Sequence, residues 1–275
     1  MKKISSFLFP IKNPITLTAM GGMMLALRLF IGVFSIKLGP TVLSFSWLSL
    51  YLAGFILGPI IGYLFGWITD SVSYGIRGGV YMWEYAIQES FIVLIGGLCA
   101  TMYHILKQYK SKWTMFIIFE VVFTTMMIFS FYMLLKYFDF SHVAKNGGDQ
   151  KWIDSKLIKI FGLILAATFY VLINGFIIYK VIRNNNANLL IFASLAVIIS
   201  WIVFSWIIGP WAQVRYLEKL TGHTSKGYQE YGYKWYALSR ILKSMFTVPI
   251  EISITYLLWK AYEVWMKTSR ISNHF

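Results

Sequence analysis

The sequence predicts an all-α protein built as a polytopic transmembrane bundle. Of 275 residues, 58% are hydrophobic and only 13% are charged, with a mean hydropathy of +0.63. That is too little charge to coat a soluble domain of this length. The apolar residues run in long unbroken stretches without alternation, which suits helices rather than the strands of a membrane barrel. Lys and Arg sit mainly between and beside those stretches. The resulting net charge of +14 fits orientation against anionic headgroups, so no nucleic-acid partner is expected.

Eight apolar segments are expected, over residues 14–36, 43–58, 59–76, 86–106, 114–137, 157–182, 188–211 and 241–265. The N-terminal stretch is basic but lacks a long apolar region, so the first span is expected to act as its own insertion signal. Segments two and three meet at Gly58-Pro59. Proline opens a helix but does not continue one cleanly, which predicts a tight hairpin, with one long kinked helix as the alternative. The segments 138–156 and 212–240 are polar and are expected to be loops, the first carrying the turn signal Asn146-Gly147-Gly148-Asp149. An even number of spans puts both termini on one side. The short, acid-poor connections around Lys107, Lys110, Lys112, Lys180 and Arg183 share that side with Lys2, Lys3 and Lys267. The positive-inside rule then places both termini in the cytoplasm of a cell-membrane protein.

No nucleotide-binding fingerprint is present, so ATP-driven work would need another chain. The single cysteine, Cys99, excludes an internal disulfide. The four histidines, His104, His142, His223 and His274, are scattered, which predicts no metal, and no cofactor is expected. No catalytic set is evident from spacing, so the protein is not expected to be an enzyme. Glycines four apart, at 54, 58, 62 and 66, predict close helix approach, as does Gly22-x-x-x-Ala26 in the first span. Both are compatible with internal packing or, for the first span, with a face that docks a partner.

Ionisable residues inside spans are expensive and therefore informative. Arg28, Asp70 and Glu89 are read as candidate ligand contacts, with an Arg28–Asp70 ion pair as the structural alternative. Glu120 is read as structural, and Glu251 as a partner for a buried Arg or Lys. Aromatics gather near the same span ends, among them Trp47, Tyr51, Tyr74, Tyr81, Trp83, Tyr85, Trp235 and Tyr236. Rings plus a few charges suit a flat ligand with polar edges, and an interfacial aromatic belt explains the same residues.

Residues 26–76, with Gly58-Pro59 followed by Asp70, resemble the folate-type substrate-binding (S) components of energy-coupling factor (ECF) transporters. Residues 237–258, with Arg240, Lys243 and Pro249-Ile250-Glu251, resemble their last helix. The resemblance implies a membrane subunit that captures a vitamin at the extracellular side. It further implies docking on a coupling membrane protein with two ATPases, through Ala19, Gly22 and Ala26. A six-helix core over residues 1–110 and 212–275 would then carry about two additional helices within 111–211. The family's fourth helix usually opens on a Pro-Gly-Phe-Thr-like stretch, where this chain has Trp83-Glu84-Tyr85-Ala86. For folate, the chemistry assigns the pterin edge to Asp70, the glutamate tail to Arg28, Arg77, Arg240 and Lys243, and stacking to Trp47 and Tyr74. The alternatives are an S component for riboflavin or thiamine, and a standalone secondary transporter. The second would favour an inverted repeat, which the two halves do not display.

Overall fold

The computed structural model describes residues 13–38, 41–78, 81–106, 112–137, 155–183, 187–222 and 233–272. Over these residues the chain is a bundle of eight helices with one short β-hairpin. Helix α1 spans Pro14–Val33, with Asn13 accepting from the Ile15 N–H at 3.0 Å and Pro14 in the first turn, where a missing N–H costs nothing. Strands β1 (Ser35–Leu38) and β2 (Thr41–Ser44) pair antiparallel, Ser35 opposite Ser44. The first two apolar segments had been expected to run into this region as helix. The alternating Ser35-Ile36-Lys37-Leu38 pattern, the β-branched Thr41-Val42 and the helix-breaking Gly39-Pro40 explain why they do not.

Helices α2 (Trp47–Leu57) and α3 (Pro59–Arg77) follow. Gly58 between them has φ 80, a value that favours glycine. A Cβ built on Gly62 would lie 3.7 Å from the Gly54 Cα. Eight residues of continuous helix would span roughly 12 Å, so the chain doubles back, as the hairpin reading expects. Both arms pack on α4 (Trp83–Leu106). Gly54 approaches the Val93 carbonyl, Gly66 the Ser90 backbone, and Gly97 the backbone of Pro59. The glycine stripe is therefore an internal seam closing three helices.

Helices α5 (Lys112–Tyr137) and α6 (Ser155–Arg183) pack on each other and against the neighbouring helices of the bundle. Phe123 stacks on Tyr170 at 5.1 Å, and the Thr124 and Tyr170 hydroxyls bond at 2.8 Å. Their outer faces expose Ile117, Val121, Ile128, Val171, Leu172 and Ile182, the pattern of a helix pair facing lipid.

Helix α7 is α-helical over Ala187–Ser200, π-helical over Trp201–Ile208 and α-helical again over Gly209–Thr221. Pro210 brings no N–H, and its ring crowds the preceding turn; the wider π register relieves both just before it. Helix α8 is Tyr233–Ser272. The 212–240 segment is thus helical at both ends rather than a loop. Its first part ends the apolar signal because it is amphipathic, not because the helix stops. Gly222, with φ 70, closes α7.

Among the described residues, three helical stretches are long and apolar enough to cross a membrane: α1, α4 and Ala187–Lys219 of α7. Of the expected loop 138–156, residues 155 and 156 open α6, and residues 138–154 and the histidines 142, 223 and 274 lie outside the described residues.

Candidate functional site

A cavity of about 430 Å³ opens at one end of the bundle. It is bordered by the end of α1, the start of α2, the end of α3, the start of α4, the later part of α7 and the start of α8. These are alternating ends of successive helices, which the up-and-down course of the chain brings to one level. The volume is in the range of pockets that hold a small organic ligand.

Six of the eight candidate ligand contacts meet here: Arg28, Trp47, Asp70, Glu89, Arg240 and Lys243. Arg28, buried at 6% exposure, pairs with Glu89 rather than with Asp70. The expected alternative of an Arg28–Asp70 bridge is not formed; the guanidinium reaches Glu89 on α4 instead. Asp70 is half-buried and faces both Arg28 and Glu89 without a salt bridge to a described residue. The pair does not satisfy its own atoms: Nε and Nη1 of Arg28 and Oε2 of Glu89 have no partner among the described residues, nor does the neighbouring Gln88 Oε1. Buried donors and acceptors in that state are aimed at something that completes them. The charged lining is three cations, Arg28, Arg240 and Lys243, against two acids, Asp70 and Glu89. The excess favours an anionic ligand.

The aromatic wall is Trp47 against Trp201, ring centroids 5.1 Å apart, with the Lys243 ammonium 5.5 Å from the Trp201 centroid. Tyr74 is not part of it. Asp70 and Ser73 turn inward, and the next residue falls a further ~100° around α3 onto the exposed side, where Tyr74 packs edge-on to Tyr81. The side chains of Arg77, Trp235 and Tyr236 lie outside the described residues.

Reading the sequence missed the contribution of α7. Trp201, Ser205, Gln213 and Tyr216 line the cavity; the first two come from the 111–211 stretch read as additional, the other two from the 212–275 part of the core. The available signal was Ser200, Ser205 and Gly209-Pro210 interrupting an otherwise apolar run. Arg240 donates to Gln213 at 2.9 Å and lies against Gly209, where a Cβ would come 2.1 Å from its Nη1 and 2.7 Å from the Phe204 carbonyl. Gly209→Ala is therefore expected to displace the Arg240 guanidinium and to cost about 1–3 kcal/mol, measured by thermal unfolding of the purified protein. At the cavity rim, Arg215 pairs with the buried Glu84 at 3.3 Å and stacks over Trp211.

Ala19, Gly22 and Ala26 are exposed along α1, and nothing lies within 4 Å of a Cβ built on Gly22. Glu251 is wholly buried, accepts from the Trp201 indole N–H at 2.6 Å and lies within the field of Lys243.

No family model matches the chain, and no solved structure matches it. It is similar to the uncharacterized protein MG313 homolog of Mycoplasma pneumoniae, 24% identical over 257 residues, 90% of each chain. It is likewise similar to the uncharacterized protein MG313 of Mycoplasma genitalium, 24% identical over 246 residues, 86% of this chain and 85% of that one. Similarity over 246–257 residues cannot be confined to residues 1–110 and 212–275, so it reaches into 111–211.

Proposed function

We propose that this chain is the substrate-capture subunit of an ATP-driven importer of the energy-coupling factor type. It sits in the cell membrane as a multi-pass protein with both termini in the cytoplasm. It takes up folate or a related pterin from the extracellular side and performs no chemistry of its own. The observation that carries the reading is the meeting of Arg28, Asp70, Glu89, Arg240 and Lys243 with Trp47 and Trp201 around one cavity. Buried charges in a membrane bundle are costly and mark ligand sites by default. A pterin offers donors to Asp70, an aromatic face to the two indoles, and a carboxylate tail to the cationic excess. The cavity is at the bundle end opposite the basic, acid-poor connections, which the positive-inside rule assigns to the outside. The bare small-residue face of α1 suits a coupling membrane protein, with two ATPases supplying the energy.

Affinity purification from the native membrane in mild detergent tests this. Recovery of one further membrane protein and two ATPase chains in fixed proportion is expected. Substrate accumulation by the purified chain alone in liposomes would instead establish a standalone transporter.

A further inference from the structure

Beyond its π turn, α7 continues as an arm, Gly209–Thr221, that walls one side of the cavity through Gln213, Tyr216 and Leu217. The α7 segment before the turn is buried almost throughout, whereas the arm exposes Trp211 and Arg215. The two are joined where the backbone ladder is irregular: Trp201–Ile208 is π-helical, and Pro210 donates no N–H. Helices bend at such places. Side chains fasten the arm to the start of α4. Trp83 meets Trp211 and Tyr85 meets Tyr216, with ring centroids 6.4 and 6.3 Å apart. Arg215 donates to Glu84 at 3.3 Å, its guanidinium 4.6 Å from the Trp211 centroid. With the arm in this position, Ser73 and Ser205 on the cavity wall are only 7% and 3% exposed.

We propose that this arm is the gate through which ligand enters the cavity: it swings about the π turn, and the Glu84–Arg215 bond latches it shut. The latch is uneven. Glu84 is buried and its Oε2 has no partner among the described residues, while the Arg215 side chain is 49% exposed. Opening breaks the pair, but water then reaches both oxygens of the carboxylate, so the cost is small. On the inner side, Gln213 accepts from Arg240, one of the cavity's cations. A ligand held by Arg240 and Tyr216 therefore favours the closed arm. The gate rests on the cavity being the ligand site, not on which ligand fills it.

The test is thiol labelling of the purified full chain in detergent, without added ligand. Ser205→Cys and, separately, Ser73→Cys place a near-isosteric reporter on the cavity wall, and the probe is sulfonatoethyl methanethiosulfonate. Adding Arg215→Gln, which removes both the ion pair and the contact with Trp211, should speed labelling of either reporter roughly 5–10-fold. Arg215→Lys, which keeps the charge, should fall between. The native Cys99, buried in α4 and not among the cavity's lining residues, should stay unlabelled throughout. Labelling rates unchanged by Arg215→Gln would overturn the latch. Rates that rise together with labelling of Cys99 would overturn it too, since the whole bundle would then have loosened. Folate plays no part in the readout, so failure here is distinct from failure of the capture reading.

Discussion

Arg28→Met should lower the stability of the protein by about 3–5 kcal/mol, the usual cost of stranding one member of a buried ion pair. Arg28 and Glu89 are both buried, and their contact joins α1 to α4. Without the guanidinium, Glu89 and the nearby Asp70 are left as two acids facing each other in a partly dry cavity. The double variant Arg28→Met/Glu89→Leu should recover most of that loss, because it removes the stranded charge together with its partner. Arg28→Lys should fall between the two, since an ammonium keeps the charge but not the fork of donors. Thermal or denaturant unfolding in one detergent gives all four values. If the double variant is no more stable than Arg28→Met, the pair is not the element that sets the cost.

The glycine seam predicts a comparable loss by a different mechanism. Gly54→Ala places a Cβ 2.3 Å from the Val93 carbonyl and 2.7 Å from the Gly97 amide; Gly66→Ala places one 2.3 Å from the Ser90 Cα. All three obstacles are backbone, so α2 or α3 must move bodily away from α4. Each substitution should cost about 4 kcal/mol or more and reduce the yield of folded protein. Gly75→Ala is the control, since nothing lies within 4 Å of its Cβ. There the change should be neutral or stabilising by up to about 1 kcal/mol, because alanine favours the helix. Size-exclusion profiles and unfolding midpoints distinguish the two classes of glycine.

Much of this architecture is legible in the sequence because lipid imposes a simple grammar. Eight apolar segments correspond to eight helices among the described residues, and Gly58-Pro59 marks a true reversal. What was not legible depends on contacts between distant segments. Arg28 has two acids within its surroundings, and only the folded geometry, not the residue pattern, selects Glu89. The serines of α7 and its proline-induced π turn look like minor interruptions of an apolar run, yet this stretch brings Trp201 and Ser205 to the cavity. Tyr74 carries the right chemistry one position too far around its helix. Glu251 faces a cation, Lys243, and also accepts from the Trp201 indole N–H, a contact that hydrophobicity patterns do not encode.

The cavity as a ligand site is tested most directly by equilibrium binding of labelled folate to the purified chain and to its Asp70→Asn variant. The wild type should bind saturably with one site per chain. Asp70→Asn, which loses a charge-assisted contact of about 1.5–3 kcal/mol, should bind roughly 10–100-fold more weakly at an unchanged melting temperature. Equal affinity in both proteins would remove Asp70 from the site, and no saturable binding by the wild type would contradict capture of folate by this cavity.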